Sequence, residues 1–199
     1  MTTVARNTIT SPRILINIGV FTALYFLFMF AGGMLGIFHP AMMFVGGLIS
    51  GILNGIVCML MVARTRVMGA FTVMGAVVAT LMVATGHFWG TILIAIALGF
   101  AADLIIRSGN YTRTMTNALG YAVFSLWGIS PFLPLFFNSG AYLADIGNQM
   151  GAEYATTFER IFTAPVVCGW VLLSAILAFC SALLGMRILQ RHFERAGVA

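Results

Sequence analysis

Six apolar segments, each about as long as a lipid bilayer is thick, make up most of this chain. They cover residues 14–38, 41–63, 67–88, 89–106, 115–137 and 162–190. A helix needs about 20 apolar residues to cross the roughly 30 Å hydrocarbon core, because every backbone N–H and C=O must be paired within the segment there. The pattern predicts an all-α integral membrane protein with six transmembrane helices, folded as a single membrane domain over residues 1–199.

Charged residues are too scarce for a soluble domain. They make up 8% of the 199 residues, against roughly 25% in ordinary soluble domains. The net charge is +5, but the arginines flank apolar segments and form no basic stripe with interleaved aromatic side chains, so no nucleic-acid partner is expected. Residues 1–12 lack the features of a cleaved signal, so the first segment is expected to remain as a span.

The positive charges fall unevenly on the two sides of the predicted bundle. The chain has no lysine, and nine of its ten arginines flank one set of segment ends. Because the arginine-rich loops of membrane proteins are usually cytoplasmic, both termini of this protein are predicted to lie in the cytoplasm (N-in and C-in). The nine are Arg6, Arg13, Arg64, Arg66, Arg107, Arg113, Arg187, Arg191 and Arg195, whereas Arg160 falls on the outer side.

Three connections on the predicted outer side differ in kind. Residues 32–40 form a glycine-rich bend, and residues 86–89 form a short corner at which Gly86 can end a helix. Residues 139–160 form a long connection between the fifth and sixth spans. Its interleaved apolar side chains predict an ordered amphipathic lid, and these are Tyr142, Leu143, Ile146, Met150, Tyr154 and Phe158.

A few polar and small residues stand out inside the apolar segments. Asp103 precedes Arg107 by four residues, which predicts an ion pair along one helix face. Asparagines at positions 17, 54 and 117 predict hydrogen bonds between helices. Two stripes of small residues allow close helix approach, either within this chain or to another protein. The stripes are Gly19 with Ala23, and Gly47 with Gly51 and Gly55.

Two histidines lie on the predicted outer side, His39 beside Met42 and Met43, and His87 beside Trp89. Imidazole and thioether groups bind soft metals and the iron of tetrapyrroles. The alternatives are a polar histidine that lines a pocket and methionines that fill an irregular core. Trp127 lies near Pro131, which weakens the helix wall, so its ring is expected either to line a ligand cavity or to join an interfacial belt.

The sequence contains none of the common catalytic motifs. It has no GxSxG elbow, no HExxH and no GxxxxGK[ST] phosphate loop, so no catalytic residues and no enzyme activity are expected. Cys58, Cys168 and Cys180 lack CxxC spacing and are interpreted as packing residues. Two alternatives stay open at this point: a self-sufficient small transporter or channel, and an intramembrane enzyme that assembles residues from distant helices.

An ordered set of features resembles one family. These features are the six spans, the first outer bend ending Phe38-His39-Pro40, the residues 109–111 (Gly-Asn-Tyr) before Thr116-Asn117, and the tail 191–198 (RHFERAGV). The chain resembles an S component of energy-coupling factor importers, in the group labelled MptD or Trep_Strep. This resemblance covers nearly the whole chain, from the first span to the C-terminus.

The resemblance implies a non-catalytic subunit of an ATP-driven importer in the bacterial cytoplasmic (inner) membrane. Its partners would be a transmembrane coupling subunit, which contacts Gly19 and Ala23, and two ATPase subunits. It would capture a scarce micronutrient under the outer loops, without a cofactor of its own. The candidate substrate-binding residues are His39, Met43, His87, Trp89, Trp127, Tyr142, Glu153 and Tyr154. The histidine and methionine set favours haem or an iron chelate over a vitamin or cofactor precursor, with His39 and His87 as possible iron ligands.

Overall fold

The computed structural model describes residues 9–195, and every regular element within this range is a helix. Short 3-10 helices follow the first helix at Leu35–Ile37 and precede the sixth at Leu126–Phe132. The nine α-helices of the described range are α1 (Pro12–Met34), α2 (Met42–Thr65), α3 (Ala70–Ala84), α4 (Thr91–Ser108), α5 (Thr114–Ser125), α6 (Leu133–Phe137), α7 (Ser139–Met150), α8 (Ala152–Ile161) and α9 (Ala164–Arg195).

Five helical segments of the described chain are long and apolar enough to cross a membrane. The all-helical membrane fold is therefore confirmed. The five are Pro12–Ile37, Met42–Thr65, Thr91–Ser108, Thr114–Phe137 and Ala164–Arg191.

The third predicted segment is shorter than expected. The sequence predicts a span over residues 67–88, but α3 has 15 residues and is about 22 Å long at 1.5 Å per residue. Left-handed backbone at Arg66 and Gly69 delays its start, and Gly86, with φ of +97°, follows its end. Glycine adopts this conformation without steric cost, so the expectation that Gly86 ends a helix is confirmed, whereas the predicted length of this span is wrong.

Asp103 connects the end of α4 to the start of α3. Its Oδ1 accepts the backbone N–H of Phe71 at 3.1 Å, and its Oδ2 accepts the backbone N–H and the hydroxyl of Thr72 at 2.9 and 2.6 Å. These contacts make α3 and α4 an antiparallel pair, so α3 runs between the same two ends of the bundle as α4. The predicted Asp103–Arg107 pair is wrong: Arg107 Nη1 instead donates to Met68 Sδ at 3.1 Å, and the helix N-terminus attracts the carboxylate.

The first two helices form an antiparallel pair with very close backbones. A Cβ added at Gly46 of α2 would overlap the carbonyl oxygen of Gly32 in α1. Asn54 of α2 donates its amide to the carbonyl of Tyr25 in α1 at 3.3 Å. This bond confirms that Asn54 joins two helices.

The glycine stripe of α2 packs against α9. A Cβ added at Gly47 would meet Trp170, and one added at Gly55 would meet Ser181, which shows that α2 and α9 run parallel. Gly51 has open space at its Cβ position, but its carbonyl oxygen accepts the hydroxyl groups of Tyr121 and Ser181. This stripe is therefore an internal packing surface.

These pairings define two ends of the bundle. We call the end where α2, α4 and α9 finish the arginine end, and the opposite end, where α7 and α8 lie, the lid end. Arginines at the arginine end are Arg13, Arg64, Arg66, Arg107, Arg113, Arg187 and Arg191, all of them exposed. Arg160 belongs to α8, and the side chains of Arg6 and Arg195 lie outside the described part. The described arginines other than Arg160 therefore lie together at one end of the bundle. The cytoplasmic location of this end is a prediction.

The predicted lid is ordered and helical, but it consists of two helices. We call α7 and α8 together the lid. Gly151, with φ of +96°, separates them, because only glycine accepts this backbone conformation easily. The predicted change near Pro131 is also present, since the regular helix α5 ends at Ser125 and continues as a 3-10 helix over Leu126–Phe132.

Candidate functional site

The lid lies on an apolar cluster that is separate from the main core of the bundle. We call it the lid cluster. Its most buried members are Leu135, Phe158, Phe162 and Val167. Around them pack Met43, Phe44, Ile129, Phe132, Tyr142, Leu143, Ile146, Tyr154, Ile161 and Val171. The cluster therefore joins the lid to α2, α6, α9 and the 3-10 helix after α5.

Aromatic rings dominate the lid cluster, and Phe162 is at their centre. Its ring centroid lies 4.4 Å from that of Phe158, 4.9 Å from that of Phe132 and 5.2 Å from that of Phe44. Phe44 also contacts Trp170, with centroids 4.9 Å apart. Such contacts each add about 0.5–1.5 kcal/mol beyond simple burial. At these distances the rings pack directly against one another.

Two tyrosine hydroxyl groups fix the lid to the rest of the bundle. Tyr154 donates to the carbonyl oxygen of Gly36 at 2.6 Å, and Tyr142 donates to that of Pro131 at 3.1 Å. Burial raises the pKa of Tyr142 to about 12, with a further contribution from nearby Tyr154. Burial raises the pKa of Tyr154 as well. Both hydroxyl groups are therefore protonated donors at physiological pH.

Three of the predicted substrate-binding residues meet in the lid cluster. Met43, Tyr142 and Tyr154 all pack there, and the side chain of Met43 lies against Gly36, whose carbonyl accepts the Tyr154 bond. Glu153 lies in the first turn of α8 with an exposed side chain. The first outer bend, α2 and the lid thus converge at one place.

Trp127 lies deeper than the lid cluster. It is 4% exposed and belongs to the main core. Its Nε1–H donates to the hydroxyl oxygen of Tyr25 at 3.1 Å. Trp127 therefore joins the α5 segment to α1 inside the bundle, and it is not part of an interfacial belt.

His87 and Trp89 lie together at the corner between α3 and α4. Trp89 is 66% exposed, whereas His87 is half-buried, and burial lowers the pKa of its imidazole. Nδ1 of His87 lies 3.0 Å from the carbonyl oxygen of Met82. Since a carbonyl only accepts, Nδ1 carries the proton and Nε2 keeps its lone pair. This neutral form has the arrangement of a metal-binding histidine, whose second nitrogen is fixed by a backbone carbonyl.

His39 has the opposite arrangement. It is exposed at the start of the turn before α2, and its Nδ1 accepts the backbone N–H of Ala41 at 3.2 Å. In a neutral imidazole the proton is then on Nε2, which leaves no free lone pair for a metal. Among the described residues no three His, Cys, Asp or Glu side chains are grouped as a metal site requires.

The predicted partner-binding pair lines an open groove on the side of the bundle. We call this the α1–α3 groove, a depression of about 530 Å³ between α1 and α3. Gly19 and Ala23 are exposed within it, and a Cβ added at Gly19 would meet nothing within 4 Å. Unlike the glycine stripe of α2, this pair is not covered by another helix of the described chain.

Sequence reasoning missed several residues that build these sites. Tyr25 lies in a segment so uniformly apolar that no buried face can be read from it. Phe162 carried a usable signal, because with Tyr154 and Phe158 it repeats every four residues, as on one face of a helix. Asp103 was identified, but with the wrong partner.

Comparison with known proteins places the chain in a family. Residues 13–195 match the model of a family described as hypothetical bacterial integral membrane proteins, Trep_Strep. No curated protein and no solved structure matches the chain significantly. A match over this range covers all the membrane-length helices almost completely. With its helical bundle, its lid and its arginine end, the chain is therefore a multi-pass membrane protein that belongs to the Trep_Strep family of bacterial integral membrane proteins.

Proposed function

We propose that this protein is the substrate-capturing S component of an energy-coupling factor importer in the bacterial inner membrane. It would capture a scarce small molecule at the lid end and act with a transmembrane coupling subunit and two ATPase subunits. The observation that carries the proposal is the lid, which lies on an aromatic cluster at the end opposite seven exposed arginines. By the positive-inside rule the lid then faces the outside, where a nutrient arrives.

The contacts of the lid are compatible with opening and closing around a ligand. Two neutral hydrogen bonds fix it to Gly36 and Pro131, each worth about 1 kcal/mol net. The remaining contacts are mainly between apolar and aromatic side chains, which a planar ligand can replace with its own surface. The binding free energy of an ordinary small-molecule ligand is therefore large enough to replace these lid contacts with contacts to the ligand.

The energy for transport would come from the partners. The sequence has no phosphate-binding loop, and a subunit of this size needs a surface through which ATP-driven motion can reach it. The open pair Gly19 and Ala23 in the α1–α3 groove supplies such a surface, because small residues let a second helix approach closely.

For the substrate we propose haem or an iron chelate. The supporting observation is His87, whose neutral imidazole keeps a lone pair on Nε2 while Met82 fixes Nδ1. One such nitrogen is sufficient as an axial ligand to an iron that brings its other ligands with it. His39 would contribute only after its ring changed its hydrogen bonding.

Reconstitution tests the transport role. Proteoliposomes that hold this chain together with the coupling subunit and both ATPases should take up labelled substrate only when ATP is supplied. Proteoliposomes with this chain alone should bind substrate but not accumulate it. Efficient uptake by the chain alone would refute the importer proposal and support a self-sufficient transporter.

Absorption spectroscopy tests the substrate. Titration of the purified protein with haem should give a shifted Soret band, and His87→Ala should weaken haem binding at least tenfold. His39→Ala serves as the matched control and should have a much smaller effect. Unchanged haem affinity in the His39→Ala, His87→Ala double variant would eliminate the histidine-bound haem hypothesis, and mass spectrometry of the co-purified small molecule would then identify the ligand.

A further inference from the structure

Arg107 has no carboxylate partner in the described chain, although Asp103 lies one helical turn before it. Both oxygens of Asp103 accept hydrogen bonds from the start of α3, at Phe71 and Thr72. The guanidinium group of Arg107 instead donates to Met68 Sδ at 3.1 Å. A thioether sulfur is a weak acceptor, and a guanidinium group has five N–H donors. Arg107 therefore lies against the α2–α3 connection with most of its donors unpaired within residues 9–195.

A tight turn brings a second arginine back to the end of α4. Asn110 and Tyr111 follow one another with left-handed backbone, at φ of +52° and +61°, which is uncommon for residues other than glycine. Beyond them, the backbone N–H of Arg113 donates to the carbonyl oxygen of Gly109 at 3.2 Å. Strained backbone of this kind is frequent at ligand-binding sites. Arg107 and Arg113 thus lie on either side of one short, strained connection.

Arg107 also ends a row of exposed side chains along α4, which we call the α4 stripe. Its members repeat every three or four residues and therefore share one face of the helix. They are Leu93, Ala97, Phe100, Leu104 and Arg107. In a membrane, an exposed apolar helix face contacts lipid acyl chains, and a long arginine side chain near the helix end reaches the headgroup level. The α4 stripe therefore matches both parts of a phospholipid.

The arginine end has no accessible negative charge of its own among the described side chains. Seven arginines are exposed there, whereas Asp103, the carboxylate that the described chain places at this end, is 2% exposed. The other described carboxylates belong to the lid, and they are Asp145, Glu153 and Glu159. Guanidinium groups pair well with phosphate, because two parallel N–H donors match two of its oxygens. An anion that pairs with Arg107 and Arg113 therefore comes from outside the described chain.

We infer that Arg107 and Arg113 together bind the phosphate of one acidic phospholipid, whose acyl chains lie along the α4 stripe. Both guanidinium groups donate hydrogen bonds to the phosphate oxygens. An acidic headgroup has a net negative charge, which a zwitterionic headgroup lacks, so two neighbouring arginines favour the acidic lipid. This site is independent of the proposed function, since it uses neither the lid nor the α1–α3 groove.

Native mass spectrometry of the purified full-length protein measures the binding of single lipids. Phosphatidylglycerol should bind more tightly than phosphatidylcholine with the same acyl chains. Arg107→Gln and Arg113→Gln should each weaken phosphatidylglycerol binding about 5-fold, the usual contribution of one arginine close to an acidic lipid surface. Neither variant should change the binding of phosphatidylcholine. Equal binding of the two lipids by the wild-type protein would overturn the inference.

A double-mutant cycle distinguishes one shared phosphate from separate contacts. The Arg107→Gln, Arg113→Gln double variant should lose less affinity for phosphatidylglycerol than the product of the two single losses, because both side chains act on the same group. Arg187→Gln is the matched control, at an exposed arginine of the same end on α9. Its effect should simply multiply that of Arg107→Gln. Fully multiplicative losses for Arg107 and Arg113 would indicate independent contacts and would refute the shared site.

Three further measurements identify the ligand and check the variants. Inorganic phosphate at the concentration of the lipid should not displace phosphatidylglycerol, since it has no acyl chains to contact Phe100 and Leu104. Displacement would mean that the site holds free phosphate. Arg107→Gln should retain the wild-type melting temperature, because the side chain is exposed, and a lower value would mean that this arginine serves folding. If Arg107→Gln weakens binding of a partner protein but not of phosphatidylglycerol, the arginine contacts that protein. Each of these three results would overturn the inference.

Discussion

The carboxylate of Asp103 satisfies backbone groups that the membrane would otherwise leave unpaired. The first N–H groups of a helix have no partner inside the helix, and in α3 two of them, at Phe71 and Thr72, point to Asp103. Asp103 is 2% exposed, so water does not compete for these bonds. A negative charge at this position also interacts favourably with the dipole of α3.

We predict that Asp103→Asn destabilises the protein by about 1–3 kcal/mol, because the amide loses the charge and one of the two acceptor oxygens. The melting temperature of the purified protein, followed by intrinsic tryptophan fluorescence, should fall. Asp145→Asn is the control, since Asp145 is exposed on α7, and it should have no effect. Equal melting temperatures for Asp103→Asn and wild type would show that the charge is not needed to fix α3.

At the scale of single residues, the sequence predicts which residues matter better than it predicts their partners. Asp103 stood out as a carboxylate in an apolar segment, but its partner lies about thirty residues earlier, at the start of α3. Local spacing favoured Arg107 because it reports only neighbours on the same helix. His39 and His87 looked equivalent in sequence, and only their backbone partners distinguish the two imidazoles.

At the scale of elements, the lid is held by its hydroxyl groups and its aromatic side chains. Tyr154 makes the shorter of the two bonds from the lid to the bundle. Because this bond joins α8 to the first bend, it links the lid to the connection between α1 and α2. Its loss should therefore loosen the lid as a unit.

We predict that Tyr154→Phe increases amide hydrogen exchange about 2- to 10-fold across Ser139–Ile161, since one net hydrogen bond of about 1 kcal/mol no longer opposes local opening. Mass spectrometry of exchanged peptides measures this directly. Tyr111→Phe, at the arginine end, should leave exchange in the lid unchanged. If Tyr154→Phe also leaves it unchanged, the Tyr154–Gly36 bond does not control the lid.

Close contact between α1 and α2 gives a second test at this scale. Gly46→Ala would place a methyl group against the carbonyl of Gly32, so we predict a loss of about 1–3 kcal/mol from forced separation of the two helices. Gly51→Ala lies on the same helix with open space and should be neutral or slightly stabilising. Similar thermal stability for the two variants would contradict the close packing of α1 on α2.

A long apolar segment predicts a membrane helix well, but its composition does not show where the helix is interrupted. Membrane-length helices form in all of the six predicted segments except the third, because nothing interrupts their backbones before the bilayer is crossed. α3 is shorter because of left-handed backbone at Arg66 and Gly69, which apolar composition does not reveal. The amphipathic pattern was enough to predict the lid. The lid cluster could not be predicted in this way, because it forms through contacts with α2, α6 and α9 that are distant in sequence.

For the whole molecule, the arginine end defines an orientation that can be measured. We predict that the lid end faces the outside of the cell. In a variant without native cysteines, Ser139→Cys should react with a membrane-impermeant maleimide in intact cells, whereas Ser108→Cys should react only after the cells are opened. Both serines are exposed in the structure. The reverse labelling pattern would show that the arginine end faces outward.

We expect the short third helix to affect the lipid around it as well. The 15 residues of α3 cover about 22 Å, while the hydrocarbon layer is about 30 Å thick. Such hydrophobic mismatch thins the bilayer locally or draws flanking residues inward, at a cost of a fraction of a kcal/mol per Å. α3 is also one wall of the α1–α3 groove, so a helix that covers this wall removes part of the strained lipid boundary. We therefore expect bilayer thickness to influence how strongly a helix would pack into this groove.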